Sequence, residues 1–426
     1  MAQDTVKTRV ANLRPNDQSG INVFEAPKDT EATFNGLKLK VGAGFTQSFQ
    51  GLKHENTTTN VNNNLYGLTS GFNTANANLF LDVQLADGIR LNLTSYLSSR
   101  RHNETWVKGG YIQFDKLPFK GEFWDNLMKI ATIKVGHMEI NYGDQHFRRS
   151  DGGQTIYNPF VENYILDAFT TEIGGEVYLR KNALFGMVGV SNGMIKGNVD
   201  KLVATPQDEN INKSPSIYLK GGYDKQLAEK LRVRVAASYY TNSSSGSNTL
   251  YSGDRTGSNY FMAMEKAIAT PATPTTPAVK SSYASQATSG RFTPGFGKKV
   301  NAFQLNGFVK AAGLEVFGTF EKASGRNANE TAMRDVDQYA IDGVYRFGKN
   351  ENLFVGARYN TVKAELANVA DPVKIDRVAL GAGWFVTKNV LLKGEYVTQN
   401  YKDFATTDYR YEGKFNGYVI QAVVGF

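Results

Sequence analysis

The 426-residue sequence contains no cysteine, only four histidines and three tryptophans, and no long run of apolar residues. Without cysteine the chain forms no disulfide and offers no thiolate to a metal ion or a substrate. A transmembrane helix needs a run of about 18 apolar residues, so helical membrane spans are excluded. These absences leave strands as the elements that the pattern must explain.

Aromatic residues and glycine are abundant instead, with 26 Phe, 22 Tyr and 42 Gly. Aromatics make up 12% of the chain, yet the mean hydropathy is -0.38, so the sequence is polar on average. This pairing suits a barrel with an apolar exterior and a wet interior. The net charge of +8 comes from Lys and Arg spread along the chain rather than gathered in one basic patch. We therefore expect the charges to line an interior and expect no nucleic-acid partner.

Apolar and polar residues alternate through most of the chain, as in Leu37 to Phe45 and Leu353 to Tyr359. A period of two places the apolar side chains on one face of a strand and the polar ones on the other. The pattern predicts an all-β, antiparallel, up-and-down transmembrane barrel of about sixteen strands, with fourteen to eighteen as bounds. The predicted strands are 33–49, 76–86, 89–99, 104–115, 129–138, 169–181, 183–191, 214–225, 230–242, 300–311, 313–323, 335–347, 352–363, 374–387, 389–402 and 413–426. The fourth is ambiguous because Trp106, Lys108, Ile112 and Phe114 share one parity.

The links between these strands alternate in length. Every second link is short, as at Asp87-Gly88 and Thr387 to Asn389, whereas 50–75, 138–168, 192–213 and 242–299 are long. Short periplasmic turns alternating with longer extracellular loops are typical of outer-membrane barrels. The link 116–128 is the exception, and Gly121 to Asp125 predicts a brief helix within it.

The chain ends on an apolar strand in which Tyr418, Ile420, Ala422, Val424 and Phe426 share one face. This ending resembles the C-terminal strand of bacterial outer-membrane β-barrels, although a terminal strand of a soluble sandwich is an alternative reading. We expect it to close the barrel by pairing with the segment around Leu37 to Phe45. The opening Met1-Ala2-Gln3-Asp4 lacks a signal peptide, so we expect a mature form whose signal has been removed.

The segment after the fifth predicted strand, from Lys134 through Arg148-Arg149-Ser150-Asp151 to Asp167, carries the densest set of charges. In strand position, loop length and charge the chain resembles the sixteen-stranded general diffusion porins of Gram-negative bacteria. Their acidic Pro-Glu-Phe-Gly-Gly-Asp motif is absent, and a weaker resemblance to eighteen-stranded alginate-export barrels rests on Gly-His-Met-Glu-Ile-Asn-Tyr-Gly-Asp. The resemblance implies that 138–168 folds inward and narrows the pore. The residues expected at this constriction are Glu139, Asp144, Arg148, Arg149, Asp151, Glu162 and Asp167.

Charged residues on the polar parity of the strands are candidates for the pore wall. The basic ones are Arg90, Lys134, Arg180, Arg232, Arg234, Lys310, Arg346 and Arg358, with Glu172, Glu176, Glu315, Asp342 and Glu395 as counter-charges. Opposed acids and bases across a narrow lumen set the ion preference of a channel. The excess of basic residues predicts a mild preference for anions.

Two further segments stand outside the strand pattern. Residues 1–32 precede the barrel of 33–426 and are expected in the periplasm or in the lumen. Residues 242–299 form a long extracellular loop with Pro271 to Pro277 in it, in which Ala263 to Thr270 suggests a short helix. Loops of this length are functional or disordered. A lid, a docking site for a surface lipoprotein or a neighbouring protomer, and a mobile surface loop remain open.

The first functional hypothesis is a passive outer-membrane channel for small hydrophilic solutes or ions, without catalytic residues, metal or cofactor. The resemblance implies a trimer embedded among outer-membrane lipid and lipopolysaccharide. One alternative is a barrel plugged by its loops that scaffolds surface proteins. Another is a barrel enzyme, but no nucleophile motif is found, and a His137/His146 pair with Asp144 is the one candidate for a metal site or a base.

Overall fold

The computed structural model describes residues 10, 12–26, 28, 34–97, 104–283 and 288–426. In this part of the chain, sixteen long antiparallel strands form one closed barrel, as predicted. The strands are β1 (Lys38–Glu55), β2 (Asn76–Ala86), β3 (Ile89–Leu97), β4 (Trp106–Phe114), β5 (Ala131–Glu139), β6 (Thr171–Lys181), β7 (Leu184–Ser191), β8 (Ser216–Ala228), β9 (Leu231–Asn242), β10 (Lys299–Ala311), β11 (Leu314–Arg326), β12 (Arg334–Phe347), β13 (Leu353–Ala364), β14 (Val373–Thr387), β15 (Val390–Lys402) and β16 (Lys414–Gly425). The predicted strand ends at 33 and at 98–99 lie outside the described residues.

The C-terminal strand closes the barrel. β16 pairs antiparallel with β1, with Phe45 opposite Val424 and Phe49 opposite Ile420. The paired part of β1 runs from Gly44 to Glu55, because the earlier part of this long strand pairs with β2. The prediction of a closing strand is confirmed, but its partner is mainly the second half of β1 rather than Leu37 to Phe45.

The two faces of the strands differ as the alternation predicts. Along β13, Val355 and Tyr359 point outward and are 48% and 43% exposed, whereas Arg358 points inward and is 2% exposed. An Arg or Lys on the outer face at mid-bilayer would cost about 2–4 kcal/mol, so the inward placement of the charges is what a membrane requires. The apolar outer face and the polar lumen are therefore two consequences of one parity rule.

A bulge explains the ambiguous parity of the fourth strand. Thr94 of β3 pairs with Gly109, but the next residue, Ser95, pairs with Val107, so Lys108 is the extra residue. The bulge reverses the parity, and Lys108 and Tyr111 therefore both face the lumen. Glycine is required at 109 because a Cβ there would lie 2.3 Å from the His137 carbonyl oxygen.

The links follow the predicted asymmetry, with the short ones at one end of the barrel and the long ones at the other. The exception 115–130 contains helix α1 (Glu122–Met128), as expected. The helix predicted at Ala263 to Thr270 is wrong, because Ile268–Thr270 is a short strand paired with Val279–Lys280. β-Branched Ile268 and Thr270, followed by a proline-rich turn, favour this small hairpin over a helix. Among the described residues, no helix has the length and apolar character that crossing a membrane demands.

Candidate functional site

The loop between β5 and β6, residues 140–170, folds into the barrel. All of its residues are buried except Phe147, Asp151 and Tyr157, which are half-buried. A buried loop must find partners for its backbone polar groups. The wall supplies them: Asn360 and Gln338 accept from the amides of Ile165 and Leu166 at 2.6 and 2.9 Å.

Lys393 of β15 supports an earlier part of the same loop. Its Nζ donates to the carbonyl oxygens of Thr155, Asn158 and Phe160 at 2.9, 2.8 and 2.8 Å. Three carbonyls of one short segment are thus held by a single buried ammonium. The loop is a fixed part of the lumen rather than a surface connection.

The N-terminal segment, residues 12–26, also lies in the lumen, at the end where the short turns are. Its amide at Gln18 donates to the carbonyl of Lys388 in the β14–β15 turn at 2.8 Å. Further in, Phe24 packs edge-on against Phe147 of the loop and Phe308 of β10. The segment therefore sits between the loop and the wall, while residues 1–9, 11, 27 and 29–33 lie outside the described residues.

A buried ion cluster joins this segment, the loop and the wall. Arg234 of β9 donates to Asp144 of the loop at 2.7 and 2.8 Å and to Glu25 at 2.8 and 2.9 Å. Lys220 of β8 lies 2.7 Å from Asp144 and 3.4 Å from Glu25. Burial alone would raise the pKa of both carboxyls, but Lys220 and Arg234 outweigh it and lower the pKa of Asp144 and of Glu25.

A second ion cluster joins the loop to the long loop between β9 and β10, residues 243–298. Arg149 Nη2 lies 2.6 Å from Asp167 and 2.7 Å from Asp254, and Arg291 lies 2.7 Å from Glu162 and 2.8 Å from Asp254. We call these five residues the clasp. Because of the clasp, much of the long loop is packed into the lumen rather than spread over the surface.

A cavity of about 270 Å³ lies in the lumen. Its wall is formed by inward residues of β2 to β6, which we call the cavity wall. The other sides are formed by residues of the loop, among them Phe147, Asp151 and Tyr157, and by the N-terminal segment from Asn12 to Ala26. The inward residues of β8 to β15, which hold the loop, form the loop-bound wall.

The acidic residues that line this cavity are mostly paired. Lys108 Nζ lies 2.9 Å from Glu139 and 2.5 Å from Asp151, and Asp151 also accepts from the Tyr96 hydroxyl at 2.6 Å. Glu25 belongs to the cluster around Arg234. The fourth acid, Asp82, accepts a hydrogen bond from Asn92.

The basic residues of the cavity are less completely paired. Arg14 donates to the carbonyl oxygens of Gly20 and Phe147, and Arg180 to that of Ala26. Lys134 lies over the rings of Tyr178 and Tyr111, at 4.9 and 5.3 Å from their centroids. Among the described residues, none of these three cations has a carboxylate partner in an ion pair. The cavity therefore has an excess of positive charge on the side of the cavity wall.

The residues predicted for the constriction divide between these environments. Three line the cavity, namely Glu139, Arg149 and Asp151. The other four anchor the loop elsewhere: Asp144 to Arg234, Glu162 and Asp167 within the clasp, and Arg148 to Asn22, with Glu315 at 3.7 Å. The structure thus brings the seven into one loop but not around one opening.

The predicted wall residues divide in the same way. Arg90, Lys134 and Arg180 line the cavity. The other five face the lumen in ion pairs, with Arg232 and Arg234 on Asp224, Arg346 and Lys310 near Glu315, and Arg358 on Asp342. Of the remaining predicted counter-charges, Glu395 accepts from the Val161 amide, Glu176 from the Asn141 amide, and Glu172 from the Tyr240 hydroxyl.

Several site residues were not predicted. Lys108 was hidden by the bulge, and Arg14, Phe24 and Glu25 lie in a segment without strand periodicity. Asp254 and Arg291 lie in the long loop, where no local pattern indicates an inward fold. A signal was present only for Lys108, whose parity conflicts with that of its strand.

The histidine pair does not form the alternative metal site. His146 Nδ1 lies 2.6 Å from Glu139 and its Nε2 lies 2.9 Å from Asn141, while Asp144 is bound to Arg234 and Lys220. The described part of the chain contains no cluster of three or more His, Cys, Asp or Glu suited to a metal ion. His137 lines the cavity separately, and Nε2 has no hydrogen-bond partner there.

Solved structures share this architecture over nearly the whole chain. The anion-selective porin from Comamonas acidovorans matches with a TM-score of 0.55 and 9% identity, over 92% of this chain and 100% of that one. A loop L8 deletion mutant of OmpT, an outer membrane protein of Vibrio cholerae, matches with a TM-score of 0.52 and 12% identity, over 92% and 99%. The outer membrane channel DcaP of Acinetobacter baumannii matches with a TM-score of 0.50 and 10% identity, over 92% and 99%.

The chain therefore has the closed antiparallel barrel fold found in outer-membrane porins and channels. At these identities the likeness concerns the fold alone. No protein-family model and no curated protein matches the sequence.

Proposed function

We propose that the protein is a passive channel in the outer membrane of a Gram-negative bacterium, through which small hydrophilic solutes or ions diffuse. The observation that carries the proposal is the polar cavity between the cavity wall and the inward loop, inside a barrel whose exterior is apolar. Six basic and four acidic residues line that cavity, and the surplus cations lack carboxylate partners among the described residues. A narrow passage with this excess favours anions over cations.

The proposal includes no chemical step. Solutes are sorted by size at the loop and by charge in the cavity, and the fixed ion clusters keep the loop in place during passage. We extend it to a homotrimer in contact with outer-membrane lipid and lipopolysaccharide, the assembly that the resemblance to general porins implies. Cross-linking of the purified protein in detergent tests the trimer independently of the channel function.

Single-channel recording in planar bilayers tests the function. We expect discrete conductance steps in potassium chloride, and a reversal potential in a salt gradient that indicates anion preference. If purified protein inserts into the bilayer but passes no current, the channel function is contradicted. A reversal potential on the cation side contradicts only the anion preference.

The second candidate is a plugged barrel that serves as a docking platform for a surface lipoprotein. It is favoured by one observation, that residues 12–26 and much of 243–298 both occupy the lumen. This candidate predicts an intact, folded barrel that conducts nothing. Liposome swelling with small sugars separates the two candidates, because only an open channel admits the sugar.

A further inference from the structure

Resting on the proposed channel function, we propose that the cavity contains a saturable binding site for a small organic anion that has one carboxylate or phosphate group and a planar apolar part. The site consists of Arg90 and Lys134 of the cavity wall with Tyr111 and Tyr178 beside them. A general charge preference requires only a positive lumen. A binding site requires unsatisfied donors in a fixed place, and the cavity wall supplies them.

Arg90 is the first such donor group. Its side chain is 4% exposed, and within the described residues its Nε and Nη1 have no hydrogen-bond partner. The nearby carboxylate of Asp115 lies 3.7 Å from Nε. Buried donors without a partner destabilise the protein, so a bound anion that reaches them offsets that cost.

Asp115 does not neutralise Arg90 alone, because it is shared. It also accepts hydrogen bonds from Gln113 Nε2 at 3.0 Å and from Thr132 Oγ1 at 2.9 Å, and Lys28 Nζ lies 3.7 Å away. One carboxylate thus faces two cations. Asp115 therefore does not offset the charges of both Arg90 and Lys28.

Lys134 completes the pair of cations. Arg90 of β3 pairs with Gln113 of β4, and Gln113 in turn pairs with Lys134 of β5. Adjacent strands are about 4.8 Å apart, so the two cations project into the cavity from backbone positions about 10 Å apart. The span suits one small anion between them rather than a large solute.

The chemistry of the rest of the ligand follows from the remaining lining. Tyr111 and Tyr178 lie beside Lys134, and Phe80 and Phe147 also line the cavity. The acids Glu139 and Asp151 have Lys108 as a partner, so they do not neutralise Lys134. Aromatic surfaces beside an unpaired cation match an aromatic carboxylate or phosphate better than a bare inorganic ion.

The test uses the full chain in planar bilayers with potassium chloride as the current carrier. Sodium benzoate and phenyl phosphate are added as anionic probes, and benzamide serves as the neutral control of the same shape. We expect at least one anionic probe to block the current with saturation, inorganic phosphate to need higher concentrations, and benzamide to have no effect. Equal block by benzamide, or a response to both anionic probes that never saturates, overturns the site.

Lys134→Gln and Arg90→Gln identify the residues. Each removes one charge-assisted contact, and we expect the half-blocking concentration to rise about tenfold or more. Lys363→Gln, which removes a charge from the outer face of β13, is the matched control and leaves the block unchanged. If the anionic probes block both cavity variants as strongly as the wild type, the assignment of Arg90 and Lys134 to the site is overturned.

Different results contradict the channel function and the binding site. If wild-type protein passes no current, the channel itself is contradicted. If it conducts but the anionic probes do not saturate, only the binding site is contradicted. The chloride conductance of each variant without probe shows that it has folded and inserted, and equilibrium dialysis of benzoate against the detergent-solubilised variants provides a second readout.

Discussion

The two sides of the lumen follow the same parity rule but use their charges differently. On the loop-bound wall, Arg234, Arg358 and Lys393 are buried and each is bound to a carboxylate or to several loop carbonyls. On the cavity wall, Lys134 and Arg180 have no carboxylate partner within the described residues. Inward charge alone therefore does not identify a permeation path.

The difference teaches what distinguishes a structural lumen charge from a functional one. Desolvating a charge is costly, and a partner at hydrogen-bonding distance offsets that cost. Charges against the loop had to be paired because the loop excludes water. Lys134 and Arg180 on the cavity wall are half-buried rather than enclosed, so a passing solute can reach them. Substitutions on the two walls test this contrast.

Arg234→Gln is expected to have the largest effect. Removing the guanidinium leaves Asp144, Glu25 and Asp224 with one strong partner fewer, and breaking such a buried pair costs about 3–5 kcal/mol. Urea unfolding in lipid vesicles, followed by tryptophan fluorescence, measures the loss. Lys363→Gln is the control, and a loss below about 1 kcal/mol would mean that the cluster is more hydrated than its burial indicates.

Arg149→Gln comes second. It removes one cation of the clasp, but Arg291 still lies 2.8 Å from Asp254 and 3.2 Å from Asp167. We expect a loss of about 1.5–3 kcal/mol, the range for hydrogen bonds to charged groups. The same urea assay measures it, and single-channel recording is expected to show added current noise because the long loop is held less firmly. A quiet channel with unchanged stability would contradict the anchoring role of the clasp.

The sequence predicts the barrel well because one parity rule, apolar outward and polar inward, applies to every strand independently. Each strand carries its own alternation, so Val355 and Arg358 can be assigned to opposite faces without knowledge of their neighbours. Lys108 shows the limit of that rule, since a bulge reverses the parity inside one strand. The position of each strand and the face that each side chain takes are set by local alternation. The sixteen strands were predictable for that reason.

The site was predictable only in part because its contacts are not local. Asp144 and Arg234 were both candidates, but their pairing across 90 residues leaves no mark on either segment. Glu25 and Asp254 lie in segments without periodicity, and their inward positions depend on partners that the fold brings together. Composition identified which residues are charged, and only the packing of the loop decided which charges remain available.

Acidification is expected to loosen the clasp in a defined window. Burial alone would raise the pKa of Asp254, but Arg291 and Arg149 outweigh it and hold the pKa well below its ordinary value of 3.8. A carboxyl with a lowered pKa stabilises the folded form above its ordinary pKa, and that stabilisation is lost as the pH falls below it. We therefore expect no change in channel noise from neutral pH down to about 4, and increasing noise at lower pH.

Asp254→Asn isolates this carboxyl from the other acidic groups of the barrel. The variant is expected to be noisier than the wild type already at neutral pH, and the difference between the two proteins is expected to shrink in acid. Recordings at matched salt across the pH series supply the measurement. A difference that persists at the lowest pH would assign the noise to another group.

Lys134→Gln is expected to have the smallest effect on stability and so gives the sharpest test of the contrast. Its ammonium has no carboxylate partner among the described residues, and its nearest contacts are the Tyr178 hydroxyl at 3.5 Å and two aromatic rings. Substitutions that break no buried pair change the free energy of unfolding by about 0.5 kcal/mol or less. The same variant removes a positive charge from the open lumen, so its reversal potential is expected to move toward cations. A loss of stability close to that of Arg234→Gln, without a shift in reversal potential, would place Lys134 among the structural charges and remove the distinction between the two walls.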